Sequence, residues 1–117
     1  MKAIDKAGLK GKIWFATFDL SDDIARGIKD GSVQFAIDQQ PYLQGYIPIA
    51  VMATMKQMHT TDLQKVSAAV QANPKVKARF AEYGLQPVYG PRHILSGPGF
   101  VTKDNIGKVE KYAGQYR

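Results

Sequence analysis

Between Lys12 and Tyr46 the apolar positions switch from a continuous run to a helical stripe and back. That pattern predicts strand, helix, strand and the entry to a second helix. Ile13 to Phe18 is apolar on both alternating faces, as expected of a strand covered on both sides in a parallel sheet. Asp19 ends it. Ser21 is placed to cap a helix, and Asp22 and Asp23 in its first turn complement the helix dipole. Ile24, Ala25 and Ile28 form the stripe of that helix, and Gly31 closes it in a left-handed conformation. Val33 to Ile37 is the second strand, with Val33, Phe35, Ile37 and then Gln39 on one face. The two strands lie about 20 residues apart, which suits a right-handed crossover joining a parallel pair.

Pro41 stands where a first-turn proline belongs, and Tyr42 to Gln57 is the longest predicted helix. It is apolar nearly all round, so it demands burial on most sides, and Pro48 is expected to kink it. Met52 and Met55 in this segment and Met58 just after it read as packed core or subunit interface. Thr60 or Thr61 is expected to cap a helix over Asp62 to Ala72, and Asn73-Pro74 restarts the chain into a helix over Lys75 to Tyr83. Gln86 to Gly99 reads as an extended crossing segment with a short strand at His93–Leu95, before a last helix over Asn105 to Tyr112. At the other end, Met1 to Ala7 predicts a short helix without an N-cap, stopped by Gly8 or Gly11. A helix that opens on the first residue resembles the tail of a longer one. The fold class expected is α/β, a flavodoxin-like parallel βαβ core with additional C-terminal helices. One domain is expected over 1–117, with the βαβ part at 1–40, a helical part at 41–92 and a terminal crossing segment and helix at 93–117.

The 117 residues and ordinary apolar content fit one soluble globular core. The charge of +6 comes from 16 basic against 10 acidic residues. The basic residues are spread along the chain in no long run, which points away from a nucleic-acid partner. Without cysteine there is neither a disulfide nor a thiolate metal site. The start, MKAIDKAGLKGK, has no apolar signal-peptide core, and Tyr42 to Met55 is too short and too interrupted for membrane insertion.

Catalytic chemistry finds little support. His59 and His93 lack ligand spacing, Asp22 and Asp23 do not face each other on a helix, and Gly97-Pro98-Gly99 lacks the pattern of a phosphate loop. No cofactor, metal or catalytic residue is expected. Asp19 and Gln39 are more informative, because both close a strand at the end where open parallel sheets bind ligands. A carboxylate accepts hydroxyl hydrogen bonds and an amide both donates and accepts, a combination suited to a neutral sugar or polyol. Tyr42, Tyr46 or Phe18 would offer the flat apolar surface that a sugar ring prefers. Helix capping or turn stabilisation is the alternative role for these polar groups.

Phe18-Asp19, Ile28-Lys29-Asp30-Gly31, Gln39-Gln40-Pro41 with Gly45, and the closing GPGFVTKDNIGKVEKY together resemble the C-terminal part of a type I periplasmic sugar-binding protein of the ribose- and autoinducer-binding kind. The resemblance implies a non-enzymatic, periplasmic receptor that delivers sugar to an ABC transporter permease. It implies Asp19 and Gln39 as hydrogen-bonding ligand residues and Gln40 and Pro41 as a hinge, with the following apolar helix packed on the sheet of the other lobe. Such receptors are more than twice this long, so the resemblance implies a truncated site that binds sugar weakly or not at all alone. The segment from His59 to Tyr89 is also longer than in the simplest members. An apolar helix deprived of its sheet implies a homo-oligomer formed through Tyr42–Met58. The alternative reading is a structural, oligomerising α/β module with no ligand function.

Overall fold

The computed structural model describes residues 2–116. Met1, the first residue of the expected N-terminal helix, lies outside them. Helix α1 (Lys2–Lys6) is followed by a loop in which Gly8 and Gly11 both take positive φ. Strand β1 (Ala16–Phe18), helix α2 (Asp22–Asp30) and strand β2 (Phe35–Asp38) then form the expected crossover, with β1 and β2 parallel and Phe18 opposite Ile37. The caps of α2 are those expected: Ser21 Oγ accepts from the Ile24 amide at 3.3 Å, and Gly31 at φ 82° donates to the Ile28 carbonyl.

Helix α3 (Pro41–Met58) carries Pro41 at its start and Pro48 inside, and ends at His59 in a left-handed conformation. Helices α4 (Leu63–Ala72) and α5 (Pro74–Tyr83) follow. Asp62, rather than Thr60 or Thr61, caps α4, because its carboxylate accepts from both the Gln64 and Lys65 amides; Thr60 Oγ1 accepts only from the Asp62 amide itself. Asn73 serves twice, ending α4 and capping α5 through the Lys75 and Val76 amides. Strands β3 (Val88–Gly90) and β4 (His93–Leu95) make an antiparallel hairpin, so the expected strand at His93–Leu95 exists but pairs locally. Strand β5 (Gly99–Val101), absent from the sequence reading, adds antiparallel to β2 and makes a mixed sheet of order β1-β2-β5. Helix α6 (Ile106–Tyr112) closes the chain.

Two cores result. Ala25, Ile28, Val33, Ala36, Val101, Ile106 and Val109 bury one face of the sheet under α2 and α6. Leu43, Ile47, Val66, Val70, Val76, Phe80, Tyr83 and Leu85 form a separate helical core. Among the described residues no buried one belongs to both, and the molecule is long, at 60 × 23 × 19 Å with a radius of gyration of 17.5 Å. A compact chain of this length would have a radius of about 13–14 Å.

One expectation needs correction. Strand β1 begins only at Ala16, and the run from Ile13 is not covered on both sides: Trp14 is 90% exposed and Phe18 63%. Both helices of the sheet part lie on one face, which leaves Trp14, Phe18 and, on β5, Phe100 bare. Helix α3 buries Leu43 and Ile47 against α4 and α5 of its own chain, and leaves Ile49 and Met52 exposed on its other side.

Candidate functional site

The sheet part and the helical part meet where β2 turns into α3, and the turn is built from polar side chains. Asp38 Oδ1 accepts from the Gln40 amide at 2.9 Å, a local turn that carries Gln40 into a left-handed conformation at φ 50°. That rotation points the Gln40 side chain inward, where it is fully buried. Its Nε2 donates to the carbonyls of Gln86 at 3.1 Å and Ser96 at 2.8 Å, and its Oε1 accepts from the Gln86 amide at 2.6 Å. Gln86 in turn accepts through Oε1 from the Phe100 amide on β5 at 3.1 Å. Gln40 and Gln86 therefore tie together three segments remote in sequence. Gly99 passes so close to this amide that a β-carbon there would lie 2.8 Å from Gln40 Cδ.

Asp19 and Gln39 both lie exposed beyond the carboxyl ends of the parallel strands. Asp19 takes φ 60°, a left-handed conformation that aspartate tolerates better than most residues, while its amide continues the ladder to the Ile37 carbonyl at 2.8 Å. Gln39 is held through its backbone, whose carbonyl accepts from Gln44 Nε2 at 3.2 Å, and its own side chain is left to the surface.

The two residues do not share one hollow. Gln39 lines a shallow depression of about 330 Å³ with Phe18, Ile37, Gln44 and the Leu95–Pro98 segment, on the bare side of the sheet. Asp19 lines a smaller one, about 170 Å³, with Asp38, Pro41 and Val109 on the side of α6. The alternation of a strand explains the division, since successive residues past Ile37 point to opposite faces. Of the three rings considered as a sugar platform, only Phe18 is available. Tyr42 stacks on Tyr46 with centroids 5.7 Å apart and meets Tyr83 and Tyr116 edge-on, so both tyrosines are committed to the helical core.

His59 and His93 remain apart from this region, one ending α3 and the other on β4 with its ring across Gly90. Among the described residues no group of three or more His, Cys, Asp or Glu could hold a metal ion, and no helix is long and apolar enough to cross a membrane. Gln44, Gln86 and Ser96 were not singled out by the sequence. Their roles depend on contacts with residues brought close by the fold, and only Gln44, five residues after Gln39, acts on a near neighbour in sequence.

A parallel βαβ unit with exposed polar groups at the carboxyl ends of its strands, joined to a second part at a buried joint, defines a class of ligand-binding α/β proteins. A family model for the periplasmic binding protein domain matches residues 1–60, the stretch from α1 to the end of α3, and the chain belongs to that family. No curated protein matches it. Helices α4 to α6 and strands β3 to β5 lie beyond the matched residues.

Proposed function

We propose that the carboxyl-terminal edge of β1 and β2 is one wall of a sugar- or polyol-binding cleft in a periplasmic solute-binding protein that serves an ABC transporter permease. The observation that carries this reading is the exposure of both the Asp19 carboxylate and the Gln39 amide at adjacent strand ends, within the stretch matched by the family model. Asp19 accepts hydroxyl hydrogen bonds, Gln39 donates and accepts, and Phe18 offers an apolar ring beside Gln39. Closure of a cleft on this wall would pivot about Gln40 and Pro41, where the chain passes from sheet to helices. The left-handed backbone of Asp19 supports the reading, since conformations of that kind concentrate at functional sites.

A single wall is expected to bind weakly, with Kd on the order of 1 mM, equivalent to about 4 kcal/mol. The test is an amide NMR titration with a panel of pentoses, hexoses and polyols. Shifts that saturate around residues 18–20 and 37–44 are expected for at least one sugar. Asp19→Asn preserves the backbone preference and removes the charge, so it should weaken binding about tenfold or more, in keeping with roughly 1.5–3 kcal/mol for a hydrogen bond to a charged group. If no sugar in the panel moves these resonances, the ligand reading fails. The placement of Asp19 and Gln39 in separate hollows favours a second reading, a structural α/β module without ligand function, and that outcome would support it.

A further inference from the structure

The sheet face opposite α2 and α6 presents Trp14, Ala16 and Phe18 from the β1 run, Phe35 and Ile37 from β2, and Phe100 from β5. The register brings these residues side by side: Ala16 opposes Phe35, Phe18 opposes Ile37, Ile37 opposes Phe100, and the Phe35 and Phe100 rings meet edge-on at 5.8 Å. None of them is charged. The face is also bounded by an open edge. The Phe15 carbonyl accepts from the Gln34 amide and the Asp19 amide donates to Ile37, so alternation turns the backbone groups of Ala16 and Phe18 away from β2. No lysine or proline blunts this edge between Ile13 and Phe18, although protein edges commonly carry such protection.

We infer that this face packs against the same face of a second copy of the chain, as a two-sheet sandwich with two-fold symmetry. That pairing covers the hollow that Phe18 and Ile37 share with Gln39, so the dimer and the ligand-open wall exclude each other. Area and charge select that occupant. The exposed parts of Trp14, Phe18 and Phe100 come to roughly 450 Å² per copy, taking side-chain areas of about 150–250 Å². A face-to-face pair that covers them fully removes about 900 Å² from water through three rings each, and the partly exposed Phe35 and Ile37 bring it to the ~1,000 Å² that a specific interface needs. Two copies of a chain carrying +6 repel least where that charge is thinnest. The sheet part, residues 1–40 and 93–117, holds ten basic against eight acidic side chains, whereas residues 41–92 hold six basic against two acidic. Association through the exposed stripe of α3, where Ile49 and Met52 are 67% and 60% exposed, would bring two strongly basic parts together. Association through the sheet face brings together the two parts that carry less charge, through residues that carry none. A two-fold contact is self-complementary, so an uncharged apolar face has no like-charge penalty against itself.

Trp14 is the only tryptophan, so its emission reports this face alone. Light scattering and tryptophan emission should be followed on the whole chain from low micromolar to several hundred micromolar protein. A dimer is expected, with the emission of Trp14 moving to shorter wavelength as the dimer forms. Phe100→Lys should weaken dimerisation at least tenfold while circular dichroism is unchanged, because that side chain is outside the sheet's buried core. Trp14→Lys should do the same by light scattering. Met52→Lys on α3 should leave the dimer intact. A monomer at all these concentrations, association only with a different polypeptide, or a dimer broken by Met52→Lys and not by Phe100→Lys would each overturn the inference.

Discussion

Replacing Gln40 by leucine is expected to cost the fold about 3–5 kcal/mol, although the change nearly preserves volume. Leucine fills the space but makes none of the three hydrogen bonds, leaving the Gln86 amide, the Gln86 carbonyl and the Ser96 carbonyl without this partner in a partly buried joint. A buried polar group deprived of its partner costs about 1–3 kcal/mol, and partial access to water holds the total below the sum of the extremes. Urea denaturation at neutral pH measures the loss. Gly99→Ala acts on the same contact from the opposite side, because its β-carbon would press on a side chain that its own hydrogen bonds prevent from yielding. Its cost should be about 1–3 kcal/mol. In a Gln40→Ala background that penalty should largely vanish, and such non-additivity is the signature of direct contact. A Gln40→Leu protein within about 1 kcal/mol of the parent would show that the joint is held by something else.

Phe80→Ala should produce a loss of similar size, about 3–5 kcal/mol, by opening a cavity in the helical core. Phe80 is 4% exposed and meets Tyr46 edge-on with centroids 5.3 Å apart. The notable expectation is where the loss is felt. Because the two cores share no buried residue, the variant should loosen α3, α4 and α5 while the sheet part retains its protection. Hydrogen exchange read by mass spectrometry separates the outcomes. Accelerated exchange confined to residues 41–83 is expected, whereas uniform acceleration from α2 to α6 would mean that the two cores unfold as one.

Much of the fold was legible because its signals are local. Ser21, Gly31, Pro41 and the Asn73-Pro74 pair each act on neighbours within a few residues, and each stands where the reading put it. What escaped was set by distant contacts. Strand β5 is three residues long and exists by pairing with β2, more than 60 residues earlier in the chain. The run from Ile13 shows the limit of apolar patterning: it records that a surface is oily, and says nothing about what covers it. The two glutamines before Pro41 show another limit. Gln39 and Gln40 are chemically identical, yet one is exposed and the other fully buried, and the left-handed backbone at Gln40 decides between them. Asp19 and Gln39 were recognisable as strand-end polar groups, but their division between two hollows followed from the pleat and from the position of α6.

The joint at Gln40 has one more consequence. Its long-range ties to Gln86 and Ser96 are made by amide groups, which neither gain nor lose a proton at any pH that a protein survives. Only the local turn before them uses a carboxylate, that of Asp38. The segment after α1 is tethered differently, by Lys10 to Asp30 at 2.7 Å, and that carboxyl is held well below its ordinary range, first by Lys10 and then by Ser32. A depressed carboxyl pKa gives a contribution that is present above the ordinary carboxylate range and lost as pH falls through the lowered value. Mild acid should therefore leave the amino-terminal segment strapped to the end of α2, and only strong acid, well below the ordinary carboxylate range, should release it. The strap is thus a fastening that outlasts the carboxylates around it.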